Sequence, residues 1–142
     1  MKKTKQKQTQ TSEVSKGIIL ADIITAKQAI DYFKKSKNKD IKNIGAYHIQ
    51  QAVEKLIKLQ IYESGKKIDN SKTYTHSIKK LIKYGEELGL QLNIPKSIIE
   101  NAQMITDWEA GSRYGLGLSI RIDVLEKYYK MVDEWAKGKQ KA

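Results

Sequence analysis

The amino-acid sequence predicts an all-α protein, an up-and-down four-helix bundle with an additional, shorter helix. Apolar residues recur at helical spacing in five segments, and no segment alternates apolar and polar residues as a β-strand does. Only one proline occurs in 142 residues, and hydrophobic residues make up 39% of the chain, which is enough for the core of one domain. Because short connections join the segments, we expect neighbouring helices to pack antiparallel.

The first two helices are predicted from their apolar stripes. The first stripe advances in steps of four and three residues and ends in a lysine-rich stretch at residues 34–39. The second helix is expected to begin with Asp40 as its N-cap and to end before Gly65, which suits a left-handed position. Its apolar face is wide over residues 47–61, so we expect it to be central and to lead into a loop at residues 66–72. The first stripe consists of Ile19, Ile23, Ala26, Ile30 and Phe33.

Three further helices follow, and each has a boundary signal. Thr75 is the expected N-cap of the third helix, and Gly89 marks its end. Pro95 falls in the first turn of the fourth helix, where proline is tolerated. Three glycines within residues 111–117 then separate the fourth helix from the last one. The apolar residues of these helices are Ile78, Leu81, Ile82 and Leu88, then Ile98, Ala102, Ile105 and Trp108, then Leu118, Leu125, Tyr128, Val132 and Trp135.

The formal net charge of +11 is concentrated at the two ends of the chain. Residues 1–16 carry +4 and residues 137–142 carry +3, whereas residues 17–136 together carry only +4. We therefore predict two basic, disordered tails around one folded bundle at residues 17–136. Such tails would attract any polyanion weakly and in a salt-dependent way.

Charge is also segregated inside the predicted bundle. Residues 27–42 carry +4 and residues 66–83 carry +5, whereas residues 84–109 carry −4. Two basic stretches and one acidic stretch fit either solvated helix faces or a surface that attracts anions.

The residue types also argue against several classes of protein. Cysteine is absent, which excludes disulfides and thiolate metal sites, and His48 and His76 form no close ligand pair, so we expect no metal. No apolar run reaches the length of a membrane span, and residues 1–16 lack the hydrophobic segment of a secretory signal. We therefore expect a cytoplasmic protein that needs no cofactor.

A few polar residues are candidates for chemistry. Glu54 precedes Lys58 by four residues, which by itself is an ordinary helical ion pair. His48 and His76 fit structural histidines as well as functional ones. Arg113 lies where two helices must part, and its guanidinium suits either a clamp on a carboxylate and backbone carbonyls or a site for an anion.

Three blocks of sequence together resemble the HEPN family, the higher eukaryotes and prokaryotes nucleotide-binding domain. They occur in the family's order and at its separation, the first is the most specific, and the resemblance covers residues 17–136. The blocks are residues 47–58 (Tyr-His-Ile-Gln-Gln-Ala-Val-Glu-Lys-Leu-Ile-Lys), residues 75–81 (Thr-His-Ser-Ile-Lys-Lys-Leu) and residues 112–114 (Ser-Arg-Tyr).

The resemblance implies a helical bundle, usually a homodimer, that acts on nucleotides or RNA. Members are often encoded beside a minimal nucleotidyltransferase in toxin–antitoxin pairs. Catalytic members cleave RNA without metal, using an Arg, a polar neighbour and a His about four to six residues after the Arg. Here Arg113 matches the Arg and Tyr114 is its neighbour, but no His follows Arg113 anywhere in the chain.

Our leading hypothesis is a non-catalytic or weakly catalytic HEPN-like protein that binds a nucleotide, RNA or a nucleotidyltransferase partner. We expect it to form a homodimer through the wide apolar face of residues 47–61. The alternatives are a toxin-type, metal-independent endoribonuclease that combines Arg113 with a distant His, and a purely structural dimeric bundle. The candidate catalytic residues are Arg113, His48 and His76, and the candidate binding residues are Arg113, Tyr114, Glu54, Lys58 and Arg121.

Overall fold

The structure is a computed structural model that describes residues 14–114 and 119–138, without the side chains of residues 112–114. The described part of the chain contains helices and no strand, which confirms the all-α class. None of its helices is long and apolar enough to cross a membrane. The helices are α1 (Lys16–Ser36), α2 (Lys39–Glu63), α3 (Asn70–Thr73), α4 (Ile78–Glu87), α5 (Lys96–Glu100), α6 (Ala102–Tyr114) and α7 (Ile122–Ala136).

Helix α2 is the centre of the bundle, as its wide apolar face predicts. It packs against α1, α4, α6 and α7, and its core-facing side chains are fully buried. Because the apolar face of residues 47–61 is covered by the chain's own helices, it is not free to form the dimer interface that we expected there. The fully buried apolar residues of α2 are Ala46, Ile49, Ala52, Val53, Ile57 and Ile61.

The folded part begins earlier than the predicted boundary at residue 17. Val14 is buried in the core, and the hydroxyl of Ser15 accepts a hydrogen bond from the Ile18 amide as the N-cap of α1. At the other end, α7 ends at Ala136. The remaining residues of the two predicted tails, 1–13 and 139–142, lie outside the described residues, so their disorder stays a prediction.

The capping residues of two helices differ from the predicted ones. The side chain that caps a helix must precede its first turn, and in both helices another residue occupies that position. Asn38, not Asp40, caps α2, and its Oδ1 accepts from the amides of Asp40 and Ile41 at 2.9 and 3.2 Å. Asp40 lies inside the first turn, where a negative charge still favours the helix dipole. Ser77, not Thr75, caps α4.

The predicted fourth helix is two helices, α5 and α6, which are separated at Asn101. The backbone of Asn101 has φ −116° and ψ 28°, and its side-chain amide donates to the Ser97 carbonyl at 2.9 Å. This local hydrogen bond offers the backbone an alternative to a continuous helix. Pro95 lies just before α5 as its N-cap residue.

The stretch at residues 66–72, which we predicted to be a loop, contains the start of the short helix α3. Asp69 caps α3 and accepts from the Ser71 hydroxyl at 2.7 Å and from the Ser71 amide at 3.0 Å. Both hydrogen bonds hold the pKa of Asp69 below its usual value, and the bond from the Ser71 hydroxyl has the larger effect. Gly65 has a φ of +77°, the left-handed conformation that we predicted for it. Gly89, which we predicted to end its helix, follows α4 and is also left-handed, with a φ of +78°.

The central position of α2 gives a first prediction. Replacing Ile49, which is fully buried, by Ala should lower the free energy of unfolding by about 2–5 kcal/mol, because it removes buried methyl groups and leaves a cavity. Ile44→Ala changes the same residue type on the same helix at a position that is 44% exposed, and should cost less than about 0.5 kcal/mol. Urea unfolding of both variants checks this, and equal losses would contradict the placement of α2.

Candidate functional site

Glu54 brings a carboxylate into the interior of the bundle, where it must be paired. It lies on α2 and is buried. Its Oε2 accepts from the Lys58 ammonium at 2.8 Å, and its Oε1 accepts from the Gln50 amide at 3.1 Å and lies 2.9 Å from His76 Nδ1. Because a buried charge is costly unless it is paired and hydrogen-bonded, these three donors allow Glu54 to occupy this position. We call these four residues the Glu54 cluster.

The Glu54 cluster ties α2 to the segment that precedes α4. The Gln50 amide donates both to Glu54 and to the backbone carbonyl of His76, the second bond measuring 3.0 Å. The side-chain carbonyl of Gln50 accepts from the side-chain amide of Gln51 at 2.8 Å. Both the nitrogen and the oxygen of the Gln50 side chain are therefore hydrogen-bonded. Ile78, the first residue of α4, donates its amide to the Thr106 hydroxyl on α6 at 3.0 Å. The start of α4 is therefore held from two sides.

A second buried carboxylate joins α1 to α2 in the same manner. Asp22 lies on α1, and its Oδ2 accepts from the Lys55 ammonium at 2.7 Å. Its Oδ1 lies 2.8 Å from His48 Nδ1. A hydrogen bond from His to an ionised carboxylate requires the proton on Nδ1, which leaves Nε2 as an acceptor in the neutral ring. Each carboxylate thus holds one histidine and one lysine, and we call Asp22, His48 and Lys55 the Asp22 cluster.

The lysines of the two clusters meet at one cavity of about 380 Å³. The side chains of Lys55 and Lys58 are only 18% and 15% exposed, which is low for lysine. An ammonium has three donors, and the described contact with a carboxylate uses one of them in each case. The remaining donors suit a second acceptor inside the cavity. The other lining residues are Val14, Glu54, Tyr62, Asn70, Thr73 and Tyr74.

The predicted site residues are brought together only in part. Glu54, Lys58 and His76 form one cluster, whereas His48 belongs to the Asp22 cluster. Arg121 is exposed, precedes α7 and makes a bidentate ion pair with Asp123, with hydrogen bonds of 2.8 and 3.0 Å.

Two predicted site residues have side chains outside the described part of the structure. Arg113 and Tyr114 lie in the last turn of α6, and only their backbone is described. The expected contact of Arg113 with a carboxylate or with an anion therefore stays a prediction.

Asp22, Lys55 and Tyr74 are not among the residues predicted from the sequence. The burial of Asp22 could have been predicted, because Asp22 falls on the apolar stripe of α1, three residues after Ile19 and four before Ala26. A charge on a buried stripe indicates a partner from another helix. Within the described residues, no group of three or more potential ligands could hold a metal ion.

The fold defines the class of small helical-bundle domains, and the comparison with protein families identifies the family. A family model, the HEPN domain, matches residues 23–135, which span most of α1 to α7. The chain therefore belongs to the HEPN family, and its general function relates to nucleotides or RNA. Searches of curated proteins and of solved structures found no match.

The burial of Glu54 gives a second prediction. Glu54→Ala should lower the free energy of unfolding by about 3 kcal/mol, because Lys58, Gln50 and His76 lose the acceptor that they share. Glu63→Ala is the matched control, since Glu63 is an exposed glutamate on the same helix, and it should change stability by less than about 0.5 kcal/mol. Thermal or urea unfolding measures both, and a small loss for Glu54→Ala would contradict a structural role of the cluster.

Proposed function

We propose that this HEPN protein binds a nucleotide or RNA without turning it over, and that the cavity at Lys55 and Lys58 holds a phosphate group. The observation that carries the proposal is the convergence of two largely buried ammonium groups, each held by a buried carboxylate, on one cavity. Ammonium groups that are fixed in advance lose little freedom when an anion binds.

The size and the lining of the cavity fit a single nucleotide unit. Its volume of about 380 Å³ lies at the lower end of the range of small-molecule pockets. Phosphate oxygens accept hydrogen bonds from both lysines, and the tyrosines at the wall, Tyr62 and Tyr74, offer hydroxyl groups and ring faces to the sugar and the base. Asp22 and Glu54 neutralise part of the local charge, so the lysines act mainly as positioned donors and less as a diffuse positive field.

The absence of turnover rests on the sequence near Arg113. Catalytic HEPN members place a His shortly after the Arg, and this chain has no His after Arg113. Arg113 is then available to hold a phosphate or to support Glu54, but the expected group for proton transfer is missing.

A metal-independent endoribonuclease is the second candidate, because Glu54 and His76 form a carboxylate–histidine pair. The Glu54 carboxylate orients Nδ1 of an exposed imidazole at 2.9 Å, and Nε2 is then free to accept a proton from a substrate hydroxyl. His48 and Asp22 form a similar pair, but with a less exposed imidazole.

The partners are also proposals. We propose a homodimer, or a complex with a minimal nucleotidyltransferase, through the outer face of α1. Leu20 and Ile24 lie one turn apart on that helix and are both about half exposed, and exposed apolar patches are typical of contacts between proteins. Light scattering of wild type and Ile24→Asp tests the homodimer, since a dimer that uses this face should dissociate in the variant.

The phosphate site gives a third prediction. Lys58→Gln and Lys55→Gln should each weaken the binding of adenosine monophosphate about tenfold, because each removes a charged hydrogen bond to the phosphate. Lys35→Gln is the control, since Lys35 is an exposed lysine on α1 outside the cavity. Isothermal titration calorimetry measures the affinities, after thermal unfolding has shown that each variant is folded. Equal affinities of wild type and both variants would contradict the site.

The catalytic state gives a fourth prediction. Wild-type protein in EDTA should leave a labelled RNA intact, because no His follows Arg113. Rapid cleavage by the wild type that disappears in folded Arg113→Ala and His76→Ala, but persists in His48→Ala, would overturn this prediction and establish the endoribonuclease.

A further inference from the structure

Tyr74 belongs to the linings of two cavities that both contain lysines. It lines the cavity of Lys55 and Lys58 and also a neighbouring cavity of about 390 Å³. This second cavity brings together three exposed lysines from the basic stretch of residues 66–83, with Glu87 as its acidic residue. The three lysines are Lys72, Lys80 and Lys83.

The backbone holds Tyr74 in a fixed position. Its φ of −82° and ψ of 75°, with a hydrogen bond of 2.9 Å from the Thr75 amide to the Thr73 carbonyl, are those of an inverse γ-turn. Thr73 is buried, and its hydroxyl lies 2.9 Å from the Tyr62 hydroxyl. On the other side, the Thr75 hydroxyl accepts from the Ser77 amide at 3.1 Å.

The side chain of Tyr74 is nevertheless 91% exposed. A large aromatic side chain gains nothing for the fold in such a position, because its apolar surface stays in water. An exposed ring on a fixed turn, at two cavities whose linings contain lysines, has the features of a stacking platform for a nucleic-acid base.

We propose that Tyr74 stacks on a base of single-stranded RNA whose neighbouring phosphates lie in the two cavities, one at Lys55 and Lys58 and the other at Lys72, Lys80 and Lys83. This inference rests on the proposed function of the first cavity and extends it from one nucleotide to a short strand. Stacking on a ring face needs an unpaired base, so the site discriminates against duplex RNA.

The test compares a mononucleotide with a short strand. Labelled tetra-adenylate should bind the full-length protein more tightly than adenosine monophosphate does, as measured by fluorescence anisotropy and calorimetry. Tyr74→Ala should weaken binding of the tetranucleotide about tenfold and leave its salt dependence unchanged, because stacking involves no counterion release. Tyr74→Phe keeps the ring face, so it should bind the tetranucleotide more tightly than Tyr74→Ala does. Tyr32→Ala removes an exposed tyrosine from α1 and should bind like wild type.

The lysines of the second cavity give an independent arm of the test. The double variant Lys80→Gln, Lys83→Gln should weaken binding of the tetranucleotide and flatten its salt dependence, while its affinity for adenosine monophosphate stays unchanged. If adenosine monophosphate binds at Lys58 but Tyr74→Ala has no effect on the tetranucleotide, the strand proposal is wrong and the phosphate site stands. Equal affinity for a longer oligonucleotide as a single strand and in a stable duplex would also overturn it. If neither ligand binds, the proposed function itself fails.

Discussion

The buried carboxylate of Glu54 is the constraint on which the candidate site depends. A charge inside a helical bundle needs several donors, and the α2 helix alone supplies Gln50 and Lys58. The third donor, His76, comes from the segment before α4, so pairing the charge also fixes that segment against α2. Thr73 and Tyr74, which form part of the cavity wall, lie just before His76 in the chain. The pairing of His76 with Glu54 therefore also fixes this part of the wall.

Asp22 is a second buried carboxylate that needs donors, and its partners Lys55 and His48 tie α1 to α2. Buried ion pairs add little net stability, since desolvation of both charges offsets their attraction. Their effect here is geometric, because Asp22 holds Lys55 and Glu54 holds Lys58 at the edge of one cavity. Lysine side chains are flexible in water, and two of them fixed side by side form a site that a surface of free lysines does not offer.

Much of the fold follows from helical periodicity, whereas most of the site does not. The stripes predict the long helices and the central place of α2, and the spacing of Glu54 and Lys58 predicts their ion pair. Periodicity carries no information on contacts between distant segments, so it does not pair His48 with Asp22, which lies 26 positions away. It also misses the break at Asn101, which depends on a side-chain bond to the backbone.

We propose above all that a nucleotide phosphate binds in the cavity organised by Glu54. The most direct measurement is a titration of ¹⁵N-labelled wild-type protein with adenosine monophosphate, followed by amide chemical shifts. We predict shifts that saturate at Lys55, Lys58, Thr73 and Tyr74. A larger cavity on α7, of about 630 Å³, serves as an internal control that also contains lysines. It is lined by Asp123, Glu126, Lys127, Lys130, Met131 and Glu134. Saturating shifts at that cavity, with none at Lys55 and Lys58, would contradict a phosphate site at these lysines.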